Sequence, residues 1–159
     1  MITLNVVRGV TAATIPVGHV AVIRSLGQKL VMRGISPGDD RTFLVFLVPN
    51  AAPKLLPFQA TDTQCVDLGQ VVAAVAAAPT SFTQIATAAE AGSLAIDEHG
   101  ASIICQDEGD MTYRLHLQTG VLRPNNTAAC YVSEWQLGVA GLSEKFQKLY
   151  EHPTHPPAA

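Results

Sequence analysis

Alternation of apolar and polar positions with a period of two recurs along this chain and predicts strands. The clearest case is residues 111–118, where Tyr113, Leu115 and Leu117 alternate with Arg114, His116 and Gln118, the pattern of a strand with one buried face. Two more strand-like runs precede it, at 93–96 and 101–106. They are separated by Asp97-Glu98-His99-Gly100 and Asp107-Glu108-Gly109-Asp110. Both connections are short, polar and contain glycine, as hairpin loops often are, so the region reads as a three-strand meander. Nearer the N-terminus, residues 19–26 meet 29–35 across Gly27-Gln28, which predicts a two-residue type II′ turn. That turn puts Leu26 opposite Lys29 and Ile23 opposite Met32. Ala21, Ile23, Ser25, Leu30, Met32 and Gly34 then share the core face, and Arg24 and Arg33 lie on the other face among Val20, Val22 and Val31.

Residues 42–48 are apolar on both parities and suit a central strand buried on both faces. Shorter β-prone runs occupy 2–8 and 63–68, and 127–137 reads as a last strand. Pro49, Pro53 and Pro57 predict an extended loop over 50–60. The Ala- and Val-rich stretch 69–78 fits helix or strand. Ser81 three residues before Gln84, with Gly92 beyond, predicts a helix over 82–91. Ser143 followed by Phe146, Leu149 and Tyr150 predicts another over 144–150. The expected fold is mainly β (α+β): an antiparallel sandwich or barrel of about eight short strands with two or three short helices. One domain is expected over 1–151, followed by an extended Pro-rich tail at 152–159.

Composition adds context to this pattern. Charged residues make up 14% of the chain and hydrophobic ones 48%, against about 25% charged in an average soluble domain. The deficit is local: segments 2–21, 42–61 and 68–89 hold Arg8, Lys54 and no acidic residue. Core or neighbouring chains are expected to cover them. A net charge of −3 without a basic cluster excludes an electrostatic footprint for nucleic acid. No apolar run approaches the ~20 residues of a membrane helix, and no basic segment precedes a long apolar one at the start. A cytoplasmic place of synthesis follows as an expectation, with Cys65, Cys105 and Cys130 as reduced thiols.

The chemistry-bearing residues are few. The carboxylates of the two meander turns offer oxygen ligands, yet consecutive turns fall at opposite ends of the strands, so neither a metal nor another cofactor is expected. His99 beside the turn carboxylates is one possible acid/base, and His116 and Arg114, with Glu134 on a later strand, are another set. No nucleophile motif accompanies them. The composition therefore points to a non-enzymatic subunit of a large assembly, most concretely a bacteriophage virion component (capsid decoration, tail or baseplate) assembled in the host cytoplasm. Its partners are expected to be other copies of itself or other structural proteins, with no nucleic acid and no membrane. Candidate contacts are Arg24 and Arg33 on the hairpin, Pro53 and Pro57 in the loop, and Pro153 and Pro156 in the tail. The alternative is a small-molecule-binding β-barrel or sandwich with a pocket lined by Phe43, Phe46, Tyr113 and Trp135. A small enzyme using His116 and Arg114 is the third reading.

Overall fold

A computed structural model describes residues 8–23, 29–48, 51–57, 63–75, 91–126, 129–140 and 146–152. These residues are mostly strand, joined in one large mixed sheet with almost no helix. The first half comprises β1 (Arg8–Thr11), a 3₁₀ turn (Ala12–Thr14), β2 (His19–Ile23), β3 (Lys29–Ile35), β4 (Thr42–Leu47), β5 (Lys54–Pro57) and β6 (Gln64–Val75). The second half comprises β7 (Leu94–Asp97), β8 (Gly100–Gln106), β9 (Thr112–His116), β10 (Leu122–Pro124), β11 (Cys130–Val132), β12 (Trp135–Ala140) and β13 (Phe146–His152). Spatial order along the main path is β10-β9-β8-β5-β4-β3-β2-β6-β12-β13, with β1 against β6, and β11 reaching β8 through β7. Nearly all neighbours are antiparallel. The parallel contacts are Lys54 opposite Gln106, between β5 and β8, and a bridge from Ile35 to Val121.

The meander forms as the alternation predicts, in β7, β8 and β9. The β2–β3 hairpin pairs differently. Ile23 stands opposite Lys29 and Val20 opposite Met32, so five residues, not two, separate the last paired positions. The odd-numbered shift turns β2 over relative to β3, while Leu30 and Met32 keep the core face expected of them. Val20, Leu30 and Met32 join the main core, while Ala21, Ile23 and Val31 join a second cluster. Both parities of these strands are apolar, so the amino-acid pattern imposes no penalty on the shifted register. Arg24 and the turn itself lie outside the described residues.

The main core draws on almost the whole sheet, including Val45, Leu55, Ile103, Leu115, Trp135 and Tyr150. On the opposite face of β2, β3 and β4, Ala12 and Ile15 of the 3₁₀ turn region cap Ala21, Val31 and Leu44. A sheet strand covered on both sides explains why 43–47 is apolar throughout.

Three expectations are corrected. Residues 54–57, predicted as loop, form β5 opposite β4, with Pro57 paired at its end to Phe43. Pro57 sits at the last position of a four-residue strand, where a missing N–H is tolerated. The helix predicted over 144–150 is the strand β13. Pairing shifts between Leu137 and Gly138, leaving Leu149 as an extra, bulged residue, so Leu149 and Tyr150 both turn toward the core while Phe146 faces out. That irregularity converts a period-two strand into an apparent helical stripe. The expected strand over 127–137 is two strands, β11 and β12, broken at Ser133-Glu134. The ambiguous 69–78 stretch is strand as far as Val75. The helix predicted over 82–91 falls, except Ala91, outside the described residues, as does the strand over 2–7.

β6 carries the longest strand across a second bulge. Val20 pairs with Gly69 and Ala21 with Asp67, leaving Leu68 over. Gly69 has φ +97°, a conformation glycine adopts without strain. The Asp67 carboxylate fixes the kink by accepting from the Gly69 N–H at 2.9 Å and from His19 Nδ1 at 3.1 Å on each oxygen.

Candidate functional site

The odd positions of β9 feed the core, so its even positions look outward. Arg114 and His116 share that outer face with Ser102 of β8, directly opposite His116, and with Arg123 of β10, directly opposite Arg114. Asp97 closes the face from β7. Asn126 and Ala129 complete the wall of a cleft of about 670 Å³ over these residues. The volume lies within the range of small-ligand sites.

Arg114 forms the floor and is only 5% exposed. A buried guanidinium needs its N–H groups answered, and here three elements answer it. Nε donates to Asn125 Oδ1 at 2.7 Å, Nη1 to Asp97 Oδ2 at 3.3 Å and Nη2 to the Tyr131 hydroxyl at 3.0 Å. The Tyr131 O–H in turn donates to Asn125 Oδ1 at 3.5 Å. Arg114 thus ties β7, β11 and the segment after β10 to β9.

His116 is likewise engaged at both ring nitrogens. Nε2–H donates to the His99 carbonyl at 2.8 Å, and Nδ1 accepts from the Thr119 N–H at 3.2 Å. The carbonyl can only accept, which fixes the tautomer. Ser102 lies opposite His116 in register, but neither ring nitrogen is directed to its hydroxyl. The constellation holds turns together.

The acid beside this pair is Asp97, not Glu134, which is exposed in the bend after β11. Asp97 had a legible signal: it closes β7 next to the meander turn, on the parity of Ser102. The second acidic turn lies at the other end of β8, about 20 Å away at strand rise. There Asp107 is committed to its own loop, accepting from the Gly109 and Met111 N–H groups at 2.9 Å each and from the Tyr113 hydroxyl at 3.3 Å. Among the described residues no three His, Cys, Asp or Glu side chains converge as metal ligands.

Of the predicted contact residues, Arg33 is half-buried and donates to the Ala13 and Ile15 carbonyls, fastening the 3₁₀ turn to β3. Pro53 is fully buried within the chain, and its carbonyl accepts from Gln106 N–H. Pro57 ends β5. Arg24, Pro153 and Pro156 lie outside the described residues. The four aromatic residues expected around a pocket are divided between the two faces of the sheet. Phe43 and Tyr113 pack against the main core and Trp135 is inside it, whereas Phe46 belongs to the cluster on the opposite face. Cys65 and Cys105 are buried free thiols; burial pushes Cys105 up to about 12, so neither is a poised nucleophile. Among the described residues no helix is long and apolar enough to cross a membrane.

No protein-family model, curated protein or solved structure matches this chain.

Proposed function

We propose that this chain is a non-enzymatic structural subunit that docks against neighbours through the outer face of β6, β12 and β13. The observation that carries the reading is a pair of exposed apolar side chains on that face. Val72, Gly138 and Lys148 form one cross-strand row, and Phe146, opposite Ala140, is on the same side. Val72 is 46% exposed and Phe146 39%. Charge is nearly silent here, because Lys148 and Glu151 pair at 2.9 Å. Val72 and Phe146 are two of the three large apolar side chains exposed among the described residues, Met111 being the third, and their placement on one charge-poor face supports the reading.

Contact is proposed through the face rather than the strand edge. Among the described residues β13 pairs only with β12, and its bulge and Lys148 guard that edge against strand addition. Partners are other copies or other structural proteins, and a phage virion assembled in the host cytoplasm is the most concrete setting. The net charge of −3 supports neither a nucleic-acid nor an anionic-membrane partner. Within this reading the sheet is curled into a barrel-like wall. One core cluster collects side chains from β2 through β13, and the Ile35–Val121 bridge draws the β9–β10 turn toward the end of β3.

Cross-linking of the purified chain before and after Val72→Glu combined with Phe146→Glu tests the surface. Cross-linked species should fall sharply in the variant while its circular dichroism stays unchanged; an unchanged ladder rejects this face. Capsid, portal or tail genes beside the coding gene would support the virion setting, and a metabolic operon would oppose it. The small-molecule alternative is favoured by one observation, the cleft above Arg114.

A further inference from the structure

We infer that the cleft between β7, β9 and β10 binds a small hydroxylated carboxylate, a sugar acid being the simplest case. This site is independent of the docking face. Its polar groups divide into two sets. Arg114 and His116 are consumed by the fold, as their hydrogen bonds show. Arg123 and Ser102 are not: among the described residues neither side chain makes a hydrogen bond or ion pair. Ser102 is 6% exposed as a residue and lines the cleft, where its hydroxyl can donate to or accept from an occupant.

Charge selects the occupant. Arg123 stands directly opposite Arg114, and like charges in that position repel. Asp97 compensates Arg114 alone, at 3.3 Å. Glu98, at the rim with its side chain 86% exposed, is directed to His99 at 3.6 Å. Arg123 therefore has no carboxylate partner among the described residues, and its planar fork matches a carboxylate with two parallel hydrogen bonds. Asp97 and Glu98 at the rim accept hydrogen bonds from hydroxyl groups and repel a second negative charge. A hydroxylated monoanion satisfies all of these groups, while a phosphate dianion does not.

The test is a calorimetric titration of the full chain with glucuronate at low salt, beside glucose and glucose 6-phosphate. Saturable binding of glucuronate is expected, with both competitors weaker by about tenfold or more, the worth of one charged hydrogen-bond pair. Arg123→Gln, at an exposed position, should weaken glucuronate by a similar factor without moving the melting temperature. Ser102→Ala should weaken it several-fold. Absence of saturable binding into the millimolar range, an Arg123→Gln variant that binds normally, or equal affinity for the sugar phosphate would each overturn the assignment.

Discussion

Gly138 of β12 lies directly beneath Phe146 and Gln147 of β13. A Cβ at Gly138 would meet the Gln147 carbonyl oxygen and approach its carbon to 2.8 Å and the Phe146 ring to 2.9 Å. The close approach accompanies the bulge at Leu149, which also places Lys148 and Glu151 on one side of the sheet and allows their ion pair. The glycine is thus part of the device that shapes the proposed docking face.

Gly138→Ala should accordingly destabilise the fold. Backbone must shift, because the nearest atom is a carbonyl oxygen rather than a flexible side chain. A loss of about 1–3 kcal/mol, the usual cost of overpacking, is expected in urea unfolding followed by circular dichroism. The same substitution should loosen β13, seen as faster amide exchange at Leu149 and Tyr150.

Trp135 is the sole tryptophan and is 1% exposed. Its Nε1–H donates to the Gly92 carbonyl at 2.8 Å, and its ring centroid is 5.9 Å from that of Tyr150. Native emission should be blue-shifted and move to the red in one step on unfolding. Trp135→Phe removes volume and strands the Gly92 carbonyl, so a cost of about 2–3 kcal/mol is expected.

Arg114→Ala should leave Asp97, Asn125 and Tyr131 facing a vacated site. Removing one member of a buried pair costs about 3 kcal/mol or more, moderated here by the partial exposure of Asp97. Arg114→Lys should recover only part of the loss, because an ammonium cannot serve three partners in the guanidinium plane. Melting temperatures of the two variants, measured side by side, check the ordering.

Alkaline pH should weaken the fold through two buried groups. Burial raises Cys105 from 9.0 to about 12 and Tyr150 from 10.0 to about 12. Between those values the unfolded chain has lost protons that the folded one retains, so stability falls as pH rises. It is fully present below about pH 9 and declines toward about pH 12. Tyr150→Phe should flatten the upper part of that decline, as urea midpoints across the range would reveal.

The strands that were legible from the amino-acid pattern are those whose two faces differ chemically. β9, with Leu115 in and Arg114 out, is the best example, and the meander around it follows. β2 and β3 were legible as strands but not in register, since Val20 and Ala21, or Val31 and Met32, satisfy either face. β13 was hidden because a bulge at Leu149 imitates a helical stripe, and β5 because Pro53 and Pro57 flank it. At the cleft, Arg114 and His116 stood out as outward-facing, but the partners of Arg114 are Asp97, Asn125 and Tyr131. Those contacts depend on how β10 and β11 return over the meander, which no local spacing encodes.

The most direct test of the assembly reading is the mass of the purified chain in solution at micromolar concentration, by sedimentation equilibrium or native mass spectrometry. An oligomer is expected, and Val72→Glu with Phe146→Glu should dissociate it. A stable monomer that binds no reporter dye for exposed apolar surface would contradict it.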